Sequence, residues 1–348
     1  MRCAPTYNSP GMAEPTIRRA AAIGCGVIGA GWIARLRLNG VDVMAFDSSP
    51  GARRIIDAVH ENAVVAWREL DLAPPPEAIG TLAMCPSIDE AVADAELVVE
   101  SVPERLDVKH ATLTVIDRAA ADDAVIASST SGFTPSQLAS PLARPERLIV
   151  GHPFNPVYLL PLVEVVGGRQ TDEAMIERAI AIYRSLGMHP LRIRAEIDAH
   201  IADRLLEAVW REALWLVNDG IATTGEIDDA IRYGFGLRWA QMGLFETYRI
   251  AGGEGGMRHF IGQFGECLAW PWSKLTDVPE LTDDLIDTIA RQSDEQSGHL
   301  SIRELERIRD RNVSSMLIAL ERNAWGAGLT IADARAAQQS VGGDPDPV

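Results

Sequence analysis

The chain has 348 residues, which is long for one hydrophobic core, so we expect two domains. Its formal net charge of -17, without a cluster of Lys or Arg, argues against nucleic acid or an anionic membrane surface as a partner. The hydrophobic content of 47% is ordinary for a soluble protein, and no apolar run reaches the roughly 18 residues that a membrane helix needs.

The cysteines are scattered along the chain without CxxC spacing, at Cys3, Cys25, Cys85 and Cys267. This pattern predicts reduced thiols in a cytosolic protein, and neither a metal site nor a disulfide framework. The first residues lack the apolar core of a signal peptide, so we expect a cytoplasmic protein.

A glycine-rich turn follows a segment, residues 1–16, that lacks apolar periodicity and is predicted to be a flexible arm. The turn lies between a strand-like run and a helical stretch, and a second strand-like run ends at Asp47. In this order the glycines let the backbone approach a pyrophosphate at a helix N-terminus. Asp47 can accept hydrogen bonds from a ribose 2'-hydroxyl and repels a 2'-phosphate, so the cofactor is predicted to be NAD. The predicted cofactor residues here are Gly24, Gly26, Val27, Ile28, Gly29 and Asp47.

Three further strand-like runs end in polar residues. Leu97–Val102 contains Glu100, residues 124–127 lead to Ser131, and residues 148–150 lead to His152. Because ligands of open α/β sheets lie beyond the carboxyl ends of the strands, we expect these side chains at one edge. The Ser131 hydroxyl can donate to a substrate oxygen, and the alternative is that it caps the helix that follows.

A carboxylate interrupts the apolar run 159–166 at Glu164, where burial is costly without a partner. His152 is the expected partner. A carboxylate bonded to one imidazole nitrogen selects the tautomer and leaves the other nitrogen to accept a proton from a substrate. The alternative is a core histidine bonded to a backbone carbonyl and a glutamate at a strand end, and this stretch alone does not separate the two.

Beyond about residue 197 the pattern is helical. Residues 201–219 carry an apolar face, and Thr223 with Glu226 forms the pattern of a capping box before the next helix. Most of the tryptophans lie in this half, which predicts an aromatic core or interface. The last residues, rich in Gly and Pro, predict a loose tail.

Taken together, these motifs resemble the 3-hydroxyacyl-CoA dehydrogenase superfamily. The resemblance rests on the glycine turn with Asp47, on Glu100 with Lys109, on residues 129–131, on the run 151–156 and on the run 162–165. It implies an α/β fold with an N-terminal Rossmann-type, doubly wound, mostly parallel sheet and an all-α C-terminal domain. The resemblance covers about residues 17–330, and the predicted segments are a flexible arm 1–16, an NAD-binding domain 17–197, a helical substrate and dimerisation domain 198–330, and a loose tail 331–348.

The same resemblance implies the roles of the site residues. His152 is the implied general base, Glu164 its orienting partner and Ser131 a hydrogen-bond donor to the reacting oxygen, while Glu100 and Lys109 join the cofactor-binding set. The helical domains are implied to form a homodimer. One departure is Asp203, which stands before Arg204 where acyl-CoA members have asparagine, because an ionised Asp can only accept a hydrogen bond. We expect Asp203 either to face a cationic substrate group or to stabilise the helix N-terminus through its negative charge.

The run 231–247, together with residues 270–272, resembles the carnitine 3-dehydrogenase branch of this superfamily. This resemblance implies L-carnitine as a small-molecule substrate, whose trimethylammonium group needs aromatic faces and whose carboxylate needs an arginine or hydroxyls. The candidate substrate residues are Asp203, Arg238, Trp239, Phe245, Tyr248 and Phe154. The alternatives are an L-gulonate 3-dehydrogenase-like enzyme, a short-chain 3-hydroxyacyl-CoA dehydrogenase, and a nucleotide-binding protein that has lost catalysis.

Overall fold

The computed structural model describes residues 17–252, 256–264 and 302–341, with a few isolated positions between 273 and 300. The predicted arm 1–16 lies outside the described residues, as do positions 342–348 of the predicted tail and Trp270 and Trp272. Within the described part of the chain, no helix is both long enough and apolar enough to span a bilayer.

The described strands form one sheet in the order β3-β2-β1-β4-β5-β6-β7-β8. All neighbouring pairs are parallel except β6 and β7, which are antiparallel. The strands are β1 (Arg19–Ile23), β2 (Asp42–Phe46), β3 (Leu82–Met84), β4 (Leu97–Glu100), β5 (Val125–Ser128), β6 (Leu148–Pro153), β7 (Leu162–Gly167) and β8 (His189–Ile193). The predicted mostly parallel α/β sheet is therefore confirmed.

The described helices fall between the strands and then continue alone after β8. They are α1 (Val27–Leu38), α2 (Ala52–Glu69), α3 (Ile88–Val92), α4 (Leu106–Ala119), α5 (Pro135–Ala139), α6 (Glu173–Ser185), α7 (Ala202–Asn218), α8 (Thr224–Ala230), α9 (Gly236–Ala251), α10 (Gly256–Phe264), α11 (Ile302–Arg322) and α12 (Gly328–Val341). The predicted capping box of Thr223 and Glu226 is present at the start of α8.

Apolar residues cover both faces of the sheet because successive side chains of a strand point to opposite sides. Ala22 and Val99 pack in the cluster that contains Trp32 and Leu36 of α1 and Tyr183 of α6. Their neighbours on the other face pack in a second cluster with side chains of α4, at Ala21, Val98, Leu113 and Ile116. This double coverage explains why β4 and β5 are continuous buried runs without alternation.

The short edge strand β3 was not predicted from the sequence. Its residues are half-buried or exposed, so no apolar run marks it. The strand is identified by pairing with β2, where Val43 lies opposite Leu82.

The described residues divide into two compact units, one formed by residues 17–201 with 307–341 and one by the described part of residues 202–306. The expectation of a loose tail from residue 331 is wrong for residues 331–341, because these belong to α12. Ile331 is buried in a cluster with Leu317 of α11 and with Trp67 and Leu70 of the α2 region. This burial stabilises a helix whose Gly- and Pro-rich continuation had suggested irregular structure. The other predicted boundaries stay predictions.

Candidate active site

The glycine turn joins β1 to the N-terminus of α1. Gly24 adopts φ of 88°, and a Cβ there would lie 2.7 Å from the Ser101 carbonyl oxygen, so the position requires glycine. A Cβ at Gly29 would lie 1.8 Å from the carbonyl oxygen of Gly24, which shows how closely α1 approaches the turn. Gly26, in contrast, faces open space and is the N-cap of α1, without a side chain that caps the helix. The first N–H groups of α1 therefore remain for a phosphate.

Asp47 follows β2 and supports the same turn. Its Oδ2 accepts a hydrogen bond of 2.6 Å from the N–H of Cys25, and its Oδ1 accepts one of 2.7 Å from the N–H of Ser49. Each carboxylate oxygen has a second lone pair for a ribose hydroxyl. The Cβ-free space at Gly26 and this half-buried carboxylate fit a dinucleotide without a 2'-phosphate. Burial, followed by the charge of Asp47, raises the pKa of the Cys25 thiol to about 12, so this cysteine stays protonated.

His152 and Glu164 lie directly opposite each other on the antiparallel strands β6 and β7. Nδ1 of His152 is 2.9 Å from Oε2 of Glu164, and the side chains are 5% and 0% exposed. Oε1 of Glu164 accepts a hydrogen bond of 3.0 Å from the N–H of Ile201. Because a carboxylate can only accept, Nδ1 of His152 carries the hydrogen and Nε2 is the nitrogen that can take a proton. The predicted contact is present, while the catalytic roles stay predictions.

Ser131 lies in the exposed part of the loop after β5. The neighbouring Thr130 hydroxyl donates to Oε1 of Glu104, which also accepts 3.0 Å from the N–H of Gly132. Burial alone would raise the pKa of Glu104, but these two hydrogen bonds and the charge of Lys109 lower it. The carboxylate therefore anchors both sides of the serine.

The alternative interpretation of Ser131 as a helix cap is wrong. The N-cap of α5 is Thr134, whose hydroxyl accepts from the N–H of Gln137 while the Gln137 side chain accepts from the N–H of Thr134. With this reciprocal pair in place, Ser131 has no capping function.

Glu100 and Lys109 form a buried ion pair at the end of β4. Nζ of Lys109 is 3.0 Å from Oε1 of Glu100, and the two side chains are 1% and 0% exposed. Glu100 also accepts hydrogen bonds from the N–H of Val102 at 2.7 Å and from the hydroxyl of Ser128 at 2.5 Å. Glu100 thus connects β4 with α4 through Lys109 and with β5 through Ser128, and a contact of Glu100 or Lys109 with the cofactor stays a prediction.

Among the candidate substrate residues, the structure brings Phe154 to His152, with ring centroids 5.2 Å apart in an edge arrangement. The others belong to residues 202–306 and are described within that unit. Asp203 is in the first turn of α7, Arg238 is exposed, and Trp239 packs on Phe235 at 4.6 Å. Phe245 is 74% exposed and Tyr248 stacks on Phe260 at 4.7 Å. Their substrate contacts stay predictions.

Two residues of this region were missed by the sequence analysis. Glu104 lies within the run where Glu100 was chosen, and a second acid shortly after a strand end was a usable signal. His200 is fully buried, and its ring centroid lies 5.3 Å from that of His152. No sequence pattern marks His200, because its proximity to His152 depends on where the chain passes after β8.

Comparison with known protein families agrees with this geometry. The model of the 3-hydroxyacyl-CoA dehydrogenase NAD binding domain matches residues 19–197. The model of the C-terminal domain of 3-hydroxyacyl-CoA dehydrogenase matches residues 200–283. The chain belongs to the 3-hydroxyacyl-CoA dehydrogenase family, and NAD is the cofactor of its N-terminal domain.

The chain is also similar to individual proteins, two of which carry the name L-carnitine dehydrogenase. The L-carnitine dehydrogenase of Mesorhizobium japonicum is 57% identical over 90% of this chain and 87% of its own length. The L-carnitine dehydrogenase/betainyl-CoA thioesterase of Agrobacterium fabrum is 62% identical over 90% of this chain, which spans 64% of that relative's length. Among solved structures, an NAD+ dependent dismutase, 5-formyl-3-hydroxy-2-methylpyridine 4-carboxylic acid 5-dehydrogenase, has a TM-score of 0.75 at 25% identity, covering 88% of this chain and 99% of its own.

Proposed function

We propose that the chain is an NAD-dependent dehydrogenase that oxidises the 3-hydroxyl group of L-carnitine to give 3-dehydrocarnitine. The observation that carries the chemistry is the buried contact between His152 and Glu164 at the sheet edge where the glycine turn also lies. The substrate is supported by the names of relatives that are 62% and 57% identical to this chain over the aligned residues.

In this proposal His152 is the general base. Glu164 accepts the Nδ1 hydrogen, keeps the ring in one orientation and stabilises the imidazolium that forms. Nε2 takes the proton of the substrate hydroxyl as the carbonyl forms. The second oxygen of Glu164 is held by the N–H of Ile201, so the carboxylate itself cannot rotate away without losing a hydrogen bond.

The cofactor and Ser131 complete the reaction. NAD, when bound, supplies the acceptor for the hydride from the carbon that bears the hydroxyl. The Ser131 hydroxyl donates a hydrogen bond to the substrate oxygen, and Glu104 holds its loop in place through Thr130 and Gly132. A hydrogen bond aimed at an oxygen whose charge changes during the reaction lowers the barrier only when its donor is held in advance.

The substrate itself requires a cation site. A trimethylammonium group has no N–H, so aromatic faces hold it through cation–π attraction, worth roughly 2 kcal/mol when desolvated. We assign this role to aromatic residues among Phe154, Trp239, Phe245 and Tyr248, with Asp203 near the cation and Arg238 at the substrate carboxylate.

We further propose a cytoplasmic homodimer. Large apolar side chains are exposed on described helices of residues 202–306, including Leu205 at 58%, Trp210 at 53% and Leu237 at 61%. Exposed apolar surface of this kind marks protein interfaces. Light scattering coupled to size exclusion should give twice the chain mass, and a monomer at micromolar concentration would contradict the proposal.

The test is the initial rate of NAD reduction at about pH 9, where the proton released by oxidation is removed. L-Carnitine, D-carnitine, L-gulonate and 3-hydroxybutyryl-CoA are compared as separate substrates. We expect a strong rate with L-carnitine and little with the others. A rate with only gulonate or the CoA ester would support the dehydrogenase chemistry but contradict the proposed cation site. The absence of a rate with all four substrates would contradict the proposed dehydrogenase activity.

A further inference from the structure

A histidine that the proposed mechanism does not use is buried beside the general base. The His200 side chain is at 0% exposure, and its ring centroid is 5.3 Å from that of His152. Nε2 of His200 lies 3.2 Å from the backbone carbonyl oxygen of Thr130. Because a carbonyl oxygen can only accept, this contact places a hydrogen on Nε2. His200 therefore donates to the residue that immediately precedes Ser131.

The chain on both sides of His200 contacts the same site. The N–H of Ala199 donates to the carbonyl oxygen of Gly132 at 3.3 Å. The N–H of Ile201 donates to Oε1 of Glu164 at 3.0 Å. Residues 199–201 thus hold Thr130 and Gly132, which flank Ser131. They also hold the Glu164 carboxylate that orients the general base.

The backbone of this segment is in a conformation that side chains disfavour. Ala199 has φ of 60° and His200 has φ of 54°, two successive residues in the left-handed region. Non-glycine residues adopt this region rarely, and they keep it where surrounding contacts require it. The contacts of residues 199–201 with Thr130, Gly132 and Glu164 are such contacts.

We propose that His200 is a positioning residue for proton transfer at His152, an inference that rests on the proposed function. Its Nε2–H holds the Thr130 carbonyl and thereby the Ser131 hydroxyl. Its ring lies against the His152 ring and limits the orientations of that ring. His200 neither gives nor takes a proton in the reaction.

The test compares three substitutions with different donors. In His200→Gln the amide nitrogen is the same number of bonds from Cβ as Nε2 of histidine, so the donor to Thr130 remains. In His200→Asn the amide nitrogen takes the place of Nδ1 and does not reach the carbonyl. His200→Leu fills a similar volume without a donor. Turnover with L-carnitine, KM for both substrates, and NAD affinity from tryptophan fluorescence are measured for each.

We expect His200→Asn and His200→Leu to lower kcat roughly 10- to 100-fold while the dissociation constant of NAD stays unchanged. His200→Gln should stay within about threefold of the wild-type kcat, because the donor is kept. A histidine that only fills space predicts the opposite order, since leucine suits a buried apolar position better than glutamine. That order, or unchanged turnover in all three variants, would overturn the proposal.

Turnover by the unmodified protein shows whether a failure concerns the proposed function or only the role of His200. If it does not turn over any of the tested hydroxy acids, both fail. If it turns over L-carnitine and the three substitutions fail to follow the donor, only the role of His200 fails. NAD binding by each variant shows that the NAD-binding unit is folded. Should either His200→Asn or His200→Leu fail to bind NAD, the comparison of the other with His200→Gln still decides.

Discussion

At the scale of residues, the proposed chemistry depends on His152 and on the carboxylate that holds it. His152→Ala removes the base, so we expect kcat to fall about 10²- to 10⁴-fold while NAD binding persists. Glu164→Gln should lower kcat as well, because an amide that donates to Nδ1 selects the wrong tautomer. Steady-state rates with L-carnitine and NAD titrations measure both effects. Near-normal turnover of His152→Ala would exclude this histidine as the base.

The titration of His60, a residue of α2, is expected to make the stability of the fold depend on pH. Burial, followed by the charge of Arg37, lowers its pKa from 6.5 to about 4, although Asp57 opposes the shift. Its Nδ1 is buried and has no hydrogen-bond partner among the described residues. The unfolded chain therefore binds a proton at His60 more readily than the folded chain, and stability falls as pH falls from about 6.5 towards 4.

His60→Gln removes this titration. Since the His60 side chain is partly exposed, we expect its protonation to account for only about 1 kcal/mol of the unfolding free energy lost at low pH. This is well below what the full pKa shift would imply. The measurement is the free energy of unfolding in urea at about pH 7.5 and about pH 4.5 for both proteins. An equal loss in the variant and in the unmodified protein would show that His60 is not involved.

At the scale of elements, substitutions of two glycines near the N-terminus of α1 distinguish an effect on NAD binding from an effect on folding. Gly26→Ala adds a methyl group at a position where no atom of the described residues lies within 4 Å, and the Gly26 φ of -66° suits alanine. We expect the variant to fold normally but to bind NAD about tenfold or more weakly, because the methyl group enters the space through which a pyrophosphate approaches the helix. Isothermal titration calorimetry gives the affinity.

The matched control is Gly29→Ala, in which the new Cβ would lie 1.8 Å from the Gly24 carbonyl oxygen. This substitution should destabilise the fold itself, with a lower unfolding temperature before any ligand is added. If Gly26→Ala bound NAD as well as the unmodified protein, the phosphate would not lie at this turn.

At the scale of the whole molecule, α11 and α12 return to the NAD-binding unit after the region that the family models match. Ile331 is 6% exposed and packs with Trp67 and Leu70. Ile331→Ala should cost about 2–5 kcal/mol of unfolding free energy, whereas Leu329→Ala, at 45% exposure, should change it by less than about 0.5 kcal/mol. The relevant urea transition is the one that NAD shifts, because a ligand stabilises the unit that binds it. Equal effects of the two substitutions would show that α12 is not docked there.

The fold and part of the site were predictable because their signals are local. The glycine turn before a helix, the carboxylate after β2 and the capping box before α8 each depend on residues close together in the chain. The pairing of His152 with Glu164 was also within reach, because a carboxylate in an apolar run needs a partner. The alternative role of Ser131 as a cap could not be rejected from sequence, since Thr134 is an equally suitable cap nearby.

The sequence by itself determined the sheet class, the cofactor turn and the candidate general base, since backbone geometry, hydrophobic period and charge act over a few residues. Only the tertiary structure decided that β7 runs antiparallel to β6, which places Glu164 opposite His152. It also decided that His200 packs beside that pair and that α12 covers α2. Contacts of this kind join positions that are far apart in the chain, and the burial that stabilises them exists only once the sheet and its helices have come together.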